Sequence, residues 1–98
     1  DVNLSTYLLL GAFEGDYEQA VVISNDSDFV LPIKLVSEPL KLRVGVVNPN
    51  VGNHRSAPNE LTDAARFTRR LRRNALRDCQ FPNVLTDAQG VITKPASW

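Results

Sequence analysis

The chain has no methionine, one cysteine, one histidine and one tryptophan among its 98 residues. A lone Cys79 excludes an intramolecular disulfide, and with His54 as the single histidine there is no zinc cluster to build. That pattern fits a reducing compartment, and the expected location is the cytoplasm. Long apolar runs are missing too. None approaches the roughly 20 residues of a membrane-spanning helix, so no membrane partner is expected. The missing methionine, and an opening in mid-pattern at Asp1, read as a fragment of a longer chain. In that setting the sequon Asn25-Asp26-Ser27 reads as accidental.

What is present is the composition of an ordinary globular domain: 43% hydrophobic and 22% charged, which suffices for one small core. The net charge of zero conceals a segregation. Residues 1–38 hold seven acids against one base, whereas residues 39–98 hold ten bases against four acids. Such a division can set an acidic pocket beside a basic surface, an arrangement suited to metal ions and a polyanionic substrate. Solvation of the surface produces the same pattern.

Residues 2–13, VNLSTYLLLGAF, place Leu4, Leu8 and Ala12 at helical spacing, with Asn3 as the N-cap and Gly15-Asp16 as the stop. An unbroken run, AVVIS, follows and reads as a strand over 20–24 buried on both faces of a parallel sheet. A second helix is predicted over 28–36, stopped by Glu38-Pro39, and a second strand over 42–47. Strand, helix, strand makes a βαβ unit, so the two strands are predicted parallel with their C-terminal ends, Ser24 to Asp28 and Asn48, side by side. Residues 49–58 are a loop by composition and include His54. The Leu, Ala and Arg content of 59–78 predicts a third, long helix. Cys79 is expected to pack as a small apolar residue, 91–93 to form a short edge strand, and Trp98 to anchor the tail.

Chemistry centres on SNDSD. Asp26 and Asp28 flank a serine where a buried strand gives way to a helix, the place where open α/β sheets bind ligands. Capping explains one carboxylate there. Two crowded carboxylates repel, and all-oxygen ligation favours Mg²⁺ or Mn²⁺ as the remedy. Asp1, at the mouth of the helix feeding the same strand, is the candidate third acid. A D-x-D pair after a strand also occurs in nucleotide-sugar transferases and in phosphatases that form an aspartyl-phosphate, so the spacing leaves several chemistries open.

The stretch DVNLSTYLLLGAFEGDYEQAVVISNDSDFVLPI resembles the NYN domain, in the LabA-like branch of the PIN-like nuclease superfamily. That family shows a K-G-x-D-V-[D/N]-L-A helix start and a strand ending S-x-D-S-D, matched here by DVNLS and SNDSD. The tail, QFP followed by a glycine and KPASW, is similar to the family's ending. The resemblance covers essentially the whole chain, as about the C-terminal half of one domain. It implies a PIN-like three-layer α/β/α sandwich with a mainly parallel sheet that lacks its first strand here. It also implies a Mg²⁺- or Mn²⁺-dependent endoribonuclease, with RNA as partner and Asp1, Asp26 and Asp28 as catalytic metal ligands. Asn3, Ser24, Asn25 and Asn48 are the accessory candidates; Asn3 stands where many relatives carry Asp. The alternatives are an inactive RNA-binding or protein-interaction module of the same fold, or a nucleotide-sugar transferase.

On the predicted third helix, Arg66, Arg70, Arg73 and Arg77 fall on one stripe, while Arg69 and Arg72 lie on another. Guanidinium forks suit phosphate, so Arg66, Arg69, Arg70, Arg73 and Arg77 are the candidate RNA-binding residues; a solvated helix face is the plain alternative. With a strand missing, an exposed sheet edge invites pairing with another chain or a homo-oligomer.

Overall fold

The computed structural model describes residues 1–52 and 56–98. His54 lies outside the described residues.

Helix α1 spans Val2–Glu14 and ends at Gly15, whose φ of 74° is a left-handed conformation that glycine adopts without strain. The Gly15 and Asp16 N–H groups donate to Ala12 O and Gly11 O, closing the last turn. The N-cap is Asp1, not Asn3, and no side chain caps this end. Strand β1, Gln19–Ile23, follows. A 3-10 turn at Ser27–Phe29 leads into α2, Val30–Ser37, and β2 runs over Arg43–Asn48. The two strands are parallel, with Ala20 opposite Val44 and Val22 opposite Val46, as the βαβ pattern predicts.

Residues 59–78 do not form one helix. They divide into α3 (Asn59–Ala64), strand β3 (Phe67–Arg70) and α4 (Arg73–Asp78). β3 adds to β2 in parallel, giving a sheet of order β1-β2-β3. The reason is the open edge of β2. Its backbone groups need partners, and Arg66 N–H and Leu71 N–H supply them by donating to Val44 O and Asn48 O. Phe67 fixes the register. It lies opposite Gly45, where an added Cβ would sit 2.1 Å from Cζ of its ring. Helix propensity in the Leu/Ala/Arg segment yields to these tertiary demands.

The core joins α1, α2 and α3 to one face of the sheet: Leu8, Ala12, Phe29, Ile33, Val36 and Leu61 pack with Val22, Val44 and Val46. The opposite face carries Val21, Ile23, Val47 and Phe67. Val21 is 50% exposed and Ile23 62% exposed, so β1 is an edge strand with one open face, not a strand buried on both. This chain therefore shows an α/β fold with a three-stranded parallel sheet and helices packed on one side. No residue after Leu61 is buried among those described. The predicted edge strand at 91–93 is part of β5, Gly90–Thr93, in an antiparallel hairpin with β4, Val84–Asp87. Cys79 and Trp98, expected to pack and to anchor, are both exposed because this C-terminal stretch buries no side chain in the core. Among the described residues, no helix is long and apolar enough to cross a membrane.

Candidate functional site

β1 ends at Ile23, and Ser24 N–H donates to Val47 O, which holds the ends of β1 and β2 side by side. The chain then turns on itself. Ser24 Oγ accepts from Asp26 N–H at 3.1 Å, and Asp26 Oδ1 accepts from Asp28 N–H at 3.0 Å. Asp26 is thus the N-cap of the 3-10 turn, and the fully buried Phe29 ring pins that turn to the core. Capping accounts for part of what Asp26 does and uses one of its two carboxylate oxygens.

A cleft of about 400 Å³ opens at this point, lined by Asp1, Ser24, Asn25, Asp26, Ser27, Pro49, Asn50 and Pro58. The fold therefore brings Asp1 and Asp26 together, as expected from the sequence. Asp28 is exposed and does not line the cleft, and Asn3 is exposed on the first turn of α1. Among the described residues, no three His, Cys, Asp or Glu side chains form a group able to hold a metal. The oxygen atoms on offer are hard donors of the kind Mg²⁺ or Mn²⁺ prefers. Two lining carboxylates without a third do not make a metal centre of the expected three-acid form. Asn25 has a buried Oδ1 without a partner among the described residues, while its Nδ2 donates weakly to Ser56 O at 3.4 Å.

Asn48 closes β2 as the buried polar residue of the core region, at 4% exposure, and its Oδ1 accepts from Asn50 N–H at 2.9 Å. That bond shapes the loop wall of the acidic cleft. Asn48 itself lines a neighbouring cleft with Ala57, Thr68, Arg69 and Arg70. The C-terminal edge of the sheet thus runs from carboxylates at β1, through Asn48 at β2, to arginines at β3. With strands about 4.8 Å apart, the acidic and basic ends lie roughly 10 Å from each other.

The arginines do not form the expected helical stripe. Arg69 and Arg70 are successive strand residues, so they point to opposite faces; Arg69 lies over the Phe67 ring at 5.7 Å, and Arg70 Nη1 donates to Gly52 O. Arg66 precedes β3 at the other end of the sheet, and Arg77 pairs with Asp78 on α4. The stripe required an unbroken helix, and the strand interrupts it. Asn50 was missed as a site residue; the turn at Asn48-Pro49-Asn50 was the available signal for it.

No family model matches the chain. Over its whole length it is 32% identical to the 6-hydroxy-3-succinoylpyridine 3-monooxygenase HspA of Pseudomonas putida (strain DSM 28022 / S16), and it spans 31% of that protein's length. The fold is similar to the crystal structure of a protein of unknown function from Vibrio parahaemolyticus RIMD 2210633, with a TM-score of 0.61 and 17% identity over 94% of this chain and 44% of that one. The relative matched across the whole chain is an oxidoreductase by name, not a hydrolase of RNA. The expectation of an endoribonuclease, with its binding-module and transferase alternatives, is corrected accordingly.

Proposed function

We propose that this chain is part of an oxidoreductase that adds oxygen to a small aromatic acid, and that the C-terminal edge of its sheet faces the substrate. The observation that carries this reading is the 32% identity to the monooxygenase across every part of the chain. A monooxygenase joins one atom of O₂ to its organic substrate and reduces the other to water with two electrons and two protons. The substrate named for the relative is a hydroxypyridine bearing a succinoyl chain, which ends in a carboxylate.

The polarity of the sheet edge suits such a molecule. Asp26 and Ser24 offer acceptors to a ring hydroxyl or ring N–H, and Asn25 and Asn50 line the same cleft. The cleft of Asn48, Thr68 and Arg70 offers donors to a carboxylate about two strands away. In this role the residues bind and orient; the carboxylate of Asp26 also holds a proton acceptor at the ring end. For the whole protein, a PIN-like sandwich would add a further helical layer on the face that carries Val21 and Ile23.

The test is oxygen uptake by the full-length protein, supplied with a reduced nicotinamide donor, on addition of 6-hydroxy-3-succinoylpyridine. Substrate-dependent uptake that falls at least tenfold in Arg70→Gln, mainly through a raised KM, supports the reading. Absence of uptake under conditions in which the Pseudomonas enzyme turns over overturns it.

A further inference from the structure

A cleft beyond β3 is larger than the acidic one. At about 530 Å³ it falls within the size range of small-molecule sites, and it is lined by Val51, Gly52, Leu71 and Asn74 with four arginines: Arg69, Arg70, Arg72 and Arg73. The described residues of its lining include no acid. Arg69 and Arg70 are held by carbonyl oxygens, Thr68 O and Gly52 O. The Arg72 and Arg73 guanidinium groups have no hydrogen-bond or ion-pair partner among the described residues, where the single ion pair is Arg77 with Asp78.

Arg72 and Arg73 bring two positive charges to the lining of this cleft with no counter-charge among the described residues, and a bound anion removes the cost of their repulsion. A diphosphate carries enough charge and enough oxygens for several guanidinium forks at once. The cleft also lies beyond the C-terminal end of β3, beside the loop after β2, where parallel sheets place phosphate-bearing ligands. The wall at Gly52 has no side chain, and its φ of 108° belongs to the region glycine favours, so backbone can approach a ligand closely there.

We infer that the cleft lined by Arg69, Arg70, Arg72 and Arg73 binds the diphosphate group of a small ligand. Arg72 and Arg73 supply the free forks, and Arg70 borders both this cleft and the one containing Asn48. Binding here stands apart from the oxygenase reading. A phosphate-bearing electron donor would connect the two, but occupancy of the cleft does not depend on turnover.

Isothermal titration of the full-length protein with inorganic pyrophosphate, at low salt, tests the inference. The comparison is between the natural protein, the Arg72→Gln/Arg73→Gln double variant, and Arg77→Gln, which lies outside the cleft. All three positions are exposed, so circular dichroism is expected to be unchanged. The expected result is pyrophosphate binding that weakens at least tenfold in the double variant and is unaffected in Arg77→Gln, with succinate binding insensitive to either change. Pyrophosphate affinity equal in all three proteins overturns the inference. So does succinate losing affinity in parallel with pyrophosphate, or a single-stranded oligonucleotide binding through Arg72 and Arg73 when pyrophosphate does not.

Discussion

Asp26 holds two roles that substitution can separate. Its Oδ1 caps the turn through Asp28 N–H, and its position in the cleft exposes a charge beside Asp1. Asp26→Asn keeps an acceptor for the cap and removes the charge; Asp26→Ala removes both. Thermal or urea unfolding should show Asn near the natural stability and Ala lower by about 1 kcal/mol, the usual cost of losing a cap. Oxygen uptake should fall in both variants. Gly45 is a second residue whose reason is local. Any Cβ there meets the Phe67 ring at 2.1 Å, against backbone that cannot retreat without breaking β2 from β3. Gly45→Ala should therefore destabilise by about 1–3 kcal/mol, measured as a lowered urea midpoint. Tyr17 gives a pH prediction. Its hydroxyl donates to Leu8 O at 2.6 Å, and burial raises its pKa above the ordinary value. The neutral phenol is the form favoured by folding, so this stabilisation is complete below pH 10 and is lost as pH rises through the elevated folded pKa. Tyr17→Phe should remove that alkaline loss while costing about 1 kcal/mol at neutral pH.

At the scale of elements, the βαβ unit was legible and β3 was not. The alternation of apolar runs with Ser-Asn-Asp and Asn-Pro turns marks the ends of β1 and β2, and their parallel pairing follows from the helix between them. The helix that feeds β1 likewise sets Asp1 at the strand end that carries Asp26, and the two line one cleft. The segment 59–78 misleads because its signals are local and its structure is not. Ala, Leu and Arg favour helix, whereas the deciding interactions are bonds from Arg66 and Leu71 to β2 and the Phe67 ring over Gly45. None of these leaves a periodic mark in the sequence. Hydrogen exchange distinguishes the two descriptions. The Arg66 and Leu71 amides should be protected to a degree comparable with β2, and Arg72→Gln should leave that protection unchanged. Slow exchange continuous from residue 61 to residue 77 would instead indicate the single helix.

For the whole molecule, the dimensions of 47 × 36 × 20 Å describe a thin body, and the radius of gyration of 16.7 Å exceeds the roughly 13 Å of a compact domain this size. Two causes act together. One face of the sheet is bare, and the hairpin of β4 and β5 stands away from the core, with Phe81, Ile92 and Trp98 exposed. The sequence conceals this, because Cys79 and Trp98 look like residues meant for burial and nothing local states what they would pack against. The 98-residue chain on its own should associate through the β1 edge, so sedimentation should shift to larger species with concentration. Ile23→Lys should reduce that shift. The charge division read from composition also takes its meaning at this scale: acids collect at the β1 end of the sheet edge and arginines at the β3 end, with Asn48 between them.

We propose that this edge serves an oxygenation of a small aromatic acid. Turnover of 6-hydroxy-3-succinoylpyridine by the full-length protein under ¹⁸O₂, followed by mass spectrometry of the products, tests it most directly. One ¹⁸O atom from O₂ is expected in the organic product of the natural protein, with no labelled product from Asp26→Asn. Unlabelled product, or unchanged substrate where the Pseudomonas enzyme incorporates label, would contradict it.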